Sequence, residues 1–424
     1  MVQMPQSLAE TIIDPSAYAD GSRIDAAFAE LRRDYPFAVA HPEGYDPFWV
    51  VTRHEDLRAI ERNNSMFLSS IRPAKVATIE AERRFREMNN GEFSAMRTII
   101  QMDPPDHFKY RRIAQDAFQP SNLRKLELRM RELARETVDR MQAFGGRCDF
   151  AKDVALLYPL QVIMELLGVP KSDEARMLKL TQEVFGDTDP EMSRSGEVES
   201  QASIAESTQA AFLELMDYFK AMADDRRSNP RDDLATIVVN GKVDGAPIGD
   251  LEIISYLEIT ATAGHDTTSN TTSAALWALA ENQDQFAMLQ SDLSLMPGFL
   301  EESVRWAAPV KHFMRSTAQE TKFAGQQMAQ NDWVMLSYHS ANRDEAIFED
   351  PHRFNINRTP NKQIAFGYGP HVCIGQHLAR LEMRLLWEEL LPRLDTLELD
   401  GVPTRTMANF VCGPKTLPVR YTWK

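Results

Sequence analysis

Apolar residues along this chain recur mostly at helical spacing, and runs that alternate like strands are short. The opening third mixes short helices with strand-like pieces, such as FWVVT at 48–52, which RHEDL closes. Residues 106–143, periodic and rich in Arg, Glu and Leu, predict two consecutive helices. AKDVALLYPLQVIMELLG (151–168) predicts an apolar helix that stops at Gly168 with Pro170 behind it. Helices are predicted over 172–186 and 203–225, joined by a polar, acidic and mobile linker, DTDPEMSRSGEVES (187–200). Residues 250–282 contain no proline and predict one helix, roughly 45–50 Å long at 1.5 Å per residue, enough to cross the whole molecule. A helix over 298–306 stops before Pro309, and strand-like fragments and a turn-rich stretch follow it. The last helix, 376–391, carries Leu378, Leu381, Leu385 and Leu390 at helical spacing and ends at Pro392. The fold class expected is therefore mainly α with small β-sheets. No internal repeat interrupts it.

Composition narrows the partners. With 424 residues, 43% of them hydrophobic and 26% charged, the chain reads as a water-soluble globular protein whose core can enclose a cofactor. No apolar stretch approaches 18 residues, and the first residues lack a basic patch followed by an apolar run. Neither a membrane span nor a signal peptide is expected, which points to the cytoplasm. The 47 Lys and Arg against 62 Asp and Glu leave a net charge of -15, which argues against a nucleic-acid partner. Three cysteines, Cys148, Cys373 and Cys412, are too few and too scattered for a disulfide framework or a zinc site.

Cys373 stands apart from the other two. It lies in FGYGPHVCIGQHLAR (366–380), among Gly367, Gly369, Gly375 and Pro370 and just before a helix. Glycine lets backbone approach a flat group closely, while free N–H groups at a helix start favour a thiolate and would tune an iron bound to it. Cys148 and Cys412 read as inert buried thiols. A second anomaly sits inside the long helix, ATAGHDTTSNTT (261–272), where Gly264 and Thr262, Thr267, Thr268, Thr271 and Thr272 are poor helix formers. Threonine hydroxyls can bond the carbonyl four residues back and open the helix locally, giving room for a small ligand. The flanks IISYLEI and AALWALA predict burial, so Asp266 beside Thr267 offers an acid and a hydroxyl for moving protons. His265 reads as a residue behind them or at the surface.

These segments resemble the cytochrome P450 family. Phe366, Gly369, His371, Cys373 and Gly375 fill its haem-binding signature, and Ala263, Gly264, Asp266 and Thr267 fill its oxygen-binding helix pattern. The similarity runs from EGYDPFWVV to GPKTLPVR, and YPLQVIMELLGVP, MLKLTQEVFG and PVKHFMR look most like a terpineol-hydroxylating bacterial member. The resemblance implies a triangular, helix-rich prism enclosing haem, as one domain over residues 1–424 with a smaller β-containing N-terminal part. It implies haem b (iron protoporphyrin IX) on Cys373, with Phe366, Gly367, Gly375, Ala263 and Gly264 around it. His107, Arg111, Arg315 and His371 are the implied propionate partners. Glu302, Arg305 and Arg358 are the implied buried triad, with Arg353 the alternative third member.

The implied activity is monooxygenation, with Asp266 feeding protons from outside and Thr267 ordering bound peroxide and water, using O2 and electrons from a ferredoxin and an NAD(P)H-dependent ferredoxin reductase. Lys109, Arg112 and Arg380 are candidate docking charges for the ferredoxin, or ordinary solvated charges. Ile259, Ala263, Val310, Phe313, Phe410 and Val411 are the expected pocket, and residues 70–100 the expected entrance cover. A small hydrophobic substrate follows, a monoterpenoid first and an aromatic hydrocarbon second. Two alternatives stand beside it: a haem protein that binds or senses a small molecule without turnover, and a peroxide-driven peroxygenase.

Overall fold

A computed structural model describes residues 1–93, 96–185, 189, 191 and 201–424, without the side chains of 184, 185 and 201–208. The acidic linker expected over 187–200 lies almost wholly outside the described residues. Helix dominates. The helices that position the site are α1 (His54–Arg62), α2 (Asp106–Gln115), α3 (Leu157–Leu167), α4 (Asp250–Glu281), α5 (Met296–Ala307) and α6 (Gln376–Leu390). No described helix is long and apolar enough to cross a membrane.

Of several small sheets, the five-stranded one borders the site: β1 (Phe37–Ala40), β2 (Phe48–Val51), β3 (Phe67–Leu68), β4 (His312–Thr317) and β5 (Trp333–Ser337), in the order β1-β2-β5-β4-β3. β5 joins β2 in parallel, and the other pairs are antiparallel. Strand side chains alternate between faces, and both faces are covered. Phe48, Val50, Met314, Trp333 and Met335 pack on Leu8, Ile12, Ile24, Phe28 and Leu31 of the N-terminal helices. Val39, Trp49, Val51, Val334 and Leu336 pack with Leu57 and Ile60 of α1. The same period of two sends Phe313 and Arg315 of β4 into the central cavity while Met314 points the other way.

The helical core gathers around α4. Ile253, Leu257, Ala261, Ala275, Leu276 and Leu279 of α4 are buried with Leu160, Ile163, Met164 and Leu167 of α3 and Leu385, Leu386 and Leu390 of α6. Burying each such aliphatic chain contributes about 1.5–3 kcal/mol before the cost of ordering it.

Two local expectations need correcting. The helix expected over 151–168 is split: a π-turn covers Ala151–Ala155, and regular α-helix begins at Leu157. Asp149, whose Oδ1 accepts from the Lys152 and Leu417 amides, anchors that wider first turn to the C-terminal strands. In α4 the threonines do bond back, Thr267 Oγ1 to Ala263 O at 2.8 Å, Thr262 to Glu258 O at 2.9 Å and Thr271 to Thr267 O at 2.8 Å. The α assignment nevertheless runs unbroken from 250 to 281. Packing on both sides holds the turn that the hydroxyls were expected to open.

Candidate functional site

The cysteine loop is built before the cysteine is placed. Gly367 (φ 74°) and Gly369 (φ 69°) adopt the left-handed region that other residues resist. A Cβ on Gly369 would lie 2.5 Å from the Glu61 carbonyl oxygen, so the loop rests directly on the end of α1. Gly369→Ala is therefore expected to cost about 1–3 kcal/mol and to loosen cofactor retention, measured as a lower melting temperature and faster loss of the bound chromophore. The Cys373 amide donates to the Phe366 carbonyl at 2.8 Å, closing the loop, and Phe366 lies under the Arg380 guanidinium at 4.4 Å. Arg380 is held in turn by Glu301, Nε to Oε1 at 2.5 Å.

Cys373 then faces a cavity enclosed by α2, α4, α5, β4 and the cysteine loop itself. The space open to the centre of a water molecule is about 220 Å³, over ten times the ~10–15 Å³ that one water needs, so it is no packing defect. Phe366, Gly367, His371, Cys373 and Gly375 line it with Ile259, Ala263, Gly264, Thr267, Val310, Phe313, His107, Arg111 and Arg315. Phe410 and Val411 do not. Phe410 stacks edge-on behind Phe313 at 5.5 Å, and Val411 bridges the backbone of Val310, so both buttress the wall. Of the described residues in 70–100, only Ile99 and Ile100 reach the cavity lining.

Burial pushes the Cys373 thiol up, against the pull of the Gly375 and Gln376 amides and of Arg111 and Arg380. The expected thiolate preference of the helix start is thus outweighed by desolvation. A metal cation at Sγ would reverse that balance, since a coordinating thiol is deprotonated outright.

One edge of the cavity gathers arginine and imidazole side chains from two elements and a loop. His107 and Arg111 share a face of α2 at i and i+4, the His107 and His371 rings stack with centroids 3.9 Å apart, and Arg315 arrives from β4. Arg111 Nη2 also donates to the Val372 carbonyl at 2.6 Å. Burial, then Arg111 and Arg315, lowers His107 to about 4, and burial with the same arginines holds His371 far below the usual range. Both imidazoles are therefore neutral. Among the described residues, both ring nitrogens of His107 and Nε2 of His371 are buried without a partner. A buried polar atom left so costs about 1–3 kcal/mol, which an incoming acidic group would relieve. Orphaned nitrogens, two arginines and a flat glycine-bordered clearance beside a thiol fit an iron porphyrin with two carboxylates.

The other predicted residues divide. Asp266 sits behind the cavity wall, its Oδ1 3.3 Å from His265 Nδ1 and its Oδ2 buried without a partner among the described residues. Burial raises its carboxyl, and His265 only partly opposes this. His265 is fully buried, not at the surface, with Nε2 2.9 Å from the Leu156 carbonyl. Glu302 accepts from Arg305 Nε and Nη2 at 2.8 and 2.7 Å, from Arg358 Nε at 3.1 Å, from the Asn355 amide and from Asn361. Arg353 offers that cluster only its carbonyl. Among the docking candidates, Lys109 is paired with Asp244 at 2.5 Å and Arg380 with Glu301, which leaves Arg112 exposed. Sequence reading missed Glu382, which lines the cavity almost fully buried with its carboxyl raised well above the usual range by desolvation. Its place between Leu378 and Leu385, on the apolar stripe of α6, was the available signal.

Residues 63–420 match the family model described as Cytochrome P450. The chain belongs to the cytochrome P450 family. This P450 is 43% identical over 420 residues to cytochrome P450-terp of a Pseudomonas species, covering 99% of this chain and 98% of that one. Linalool 8-monooxygenase of Pseudomonas putida is 32% identical, over 92% of this chain and 94% of its own. A crystal structure of a P450 from Novosphingobium aromaticivorans superposes with a TM-score of 0.92 at 40% identity, over 100% of both chains. The chain is accordingly a P450 monooxygenase with haem iron as cofactor.

Proposed function

We propose that this P450 hydroxylates a small neutral hydrophobic substrate, a monoterpenoid in the first place and an aromatic hydrocarbon in the second. The observation that carries this is the chemistry of the wall beside Ala263 and Thr267, made of Ile99, Ile100, Ile259, Val310 and Phe313. The cavity's cations, Arg111 and Arg315, gather at the edge where His107 and His371 stack. A substrate beside Thr267 is thus held by shape and apolar contact. The terpene-alcohol name of the 32% relative supports the first choice.

Cys373 would hold the iron of haem b through its sulfur, with His107, Arg111, Arg315 and His371 holding the propionates. When bound, the haem supplies O2 binding and reductive cleavage of the O–O bond. Around it, the chain positions and protonates. Thr267 commits its hydroxyl hydrogen to Ala263 O, which frees its oxygen lone pairs to accept from a water or acid in the cavity. His265 Nε2 must donate to the Leu156 carbonyl, so Nδ1 is an acceptor when the ring is neutral, a tautomer assigned from its partners. The 3.3 Å contact to Asp266 then becomes a hydrogen bond when Asp266 carries a proton. Asp266 is thereby kept as a proton donor one layer behind Thr267. Electrons would come from a ferredoxin and its NAD(P)H-dependent reductase in the cytoplasm.

The test is to titrate the holoenzyme with terpenes and simple aromatics while following the haem absorption. Product is then compared with NADH, ferredoxin and reductase against peroxide alone. Saturable shifts and reductase-dependent alcohol are expected; equal product from peroxide alone, or none from either, would overturn the reading. Asp266→Asn is expected to slow turnover about 100-fold with substrate affinity unchanged. An unaltered rate would remove Asp266 from the proton path.

A further inference from the structure

A second cavity lies on the far side of the Pro309–Lys311 segment, between the N-terminal helices, the last turns of α4 and the end of α5. The space open to water centres is about 110 Å³, several times a single-water site. Its lining is unusually cationic. Lys311 is buried (6% exposed), and among the described residues its Nζ has one hydrogen-bond partner, the Ala307 carbonyl at 2.9 Å, which leaves two N–H donors unused there. Arg405 is half-buried with its guanidinium 4.4 Å over the Trp277 ring and has no acidic partner among the described residues. Trp277 Nε1 is buried without an acceptor among the described residues.

The nearby acids do not neutralise this pair. Asp25 is taken by His339 Nε2 at 2.7 Å and Arg343 Nε at 3.1 Å. Glu281 is exposed at the rim, where water screens it. Tyr18 is committed to the Ile12 carbonyl. The Cys412 thiol is pushed up by burial and stays neutral beside Lys311. Two buried or half-buried cations are left over, and uncompensated buried charge is costly unless something pairs it.

We infer that this cavity is a binding site for a small dianionic oxyanion of the phosphate type, held by Lys311, Arg405 and the Trp277 N–H. Two charges are specified because two cations are unmatched, Arg343 being balanced by Asp25. The site is separate from the haem cavity, but the two share a wall. Pro309 and Val310 line the haem cavity and Lys311 the second one. An anion drawn onto Lys311 therefore braces the strand entry that carries Val310 and Phe313.

The site has a pH signature. Burial lowers the Lys311 ammonium to about 8, with Arg343 and Arg405 acting in the same sense and Asp25 and Cys412 in the opposite one. An anion favours the charged form and raises that value, so binding takes up a fraction of a proton near pH 8 and weakens as the pH rises to 9.

The experiment melts the holoenzyme in inorganic phosphate, acetate or chloride at equal ionic strength, for the wild type, Lys311→Met and Arg405→Gln. Phosphate is expected to raise the wild-type melting temperature by at least about 2 °C, and acetate and chloride by less than half of that. Each substitution should at least halve the phosphate effect while leaving the carbon-monoxide spectrum of the reduced haem intact. Calorimetric titration in buffers of different ionisation heat should show proton uptake in the wild type and none in Lys311→Met. A phosphate effect equal in all three proteins, an equal effect of acetate, or no effect at all would overturn the site.

Discussion

Cys373→Ala is expected to abolish the carbon-monoxide band given by thiolate-ligated ferrous haem and to reduce hydroxylation by at least about 10³-fold, a barrier change of roughly 4 kcal/mol. No other thiol can take over. Cys148 is half-buried away from the cavity, its thiol raised to about 12 by burial, and Cys412 is buried with Sγ against the Thr406 carbonyl at 3.2 Å. The variant should still bind porphyrin weakly, because the His107, Arg111, Arg315 and His371 edge is untouched. Comparing absorption of the reduced, carbon monoxide-treated proteins decides it. A retained thiolate band would mean that another atom holds the iron.

The second large effect lies in Glu302. Its carboxylate, fully buried with Arg305, takes five donor atoms in the cluster that the partly buried Arg358 completes. Arg305 spends its remaining Nη1 on the Asn342 and Pro351 carbonyls, so it pins the loop ahead of the cysteine segment to α5. Glu302→Ala would strand two guanidinium groups in the interior, and removing one partner of a buried ion pair typically costs 3–5 kcal/mol. Denaturant unfolding followed by tryptophan fluorescence should show a loss of about 3–5 kcal/mol, with Glu302→Gln losing distinctly less because acceptor and shape persist. A loss below about 1 kcal/mol for the alanine variant would show the cluster to be dispensable.

What the sequence made legible follows from what local patterns encode. The spacing of Glu302 and Arg305 and the glycines about Cys373 are short-range facts, and the structure assembles them as read, with Arg358 chosen over Arg353. The length of α4 was equally plain, since nothing in 250–281 stops a helix. Three things escaped because they depend on distant neighbours. Thiol ionisation at Cys373 depends on the elements that surround the cavity it faces, and desolvation there pushes the thiol up against the Gly375 and Gln376 amides. The burial of His265 depends on the Leu156 carbonyl and Thr181, 109 and 84 residues away. The failure of Phe410 and Val411 to reach the cavity is a matter of one layer of thickness, which strand pattern alone does not carry. Glu382 shows the converse, a carboxylate on an apolar stripe that was visible and passed over.

Gly264 has a consequence for who shapes the substrate. A Cβ there would meet Ile163 at 2.8 Å, and Ile163, which belongs to the neighbouring α3, itself lines the haem cavity. The glycine is thus an aperture in the long helix through which a side chain from the next layer looks into the chamber. Trimming or enlarging residue 163 would remodel the chamber without altering any residue of the helix that fronts it, giving selection a dial outside the chemistry.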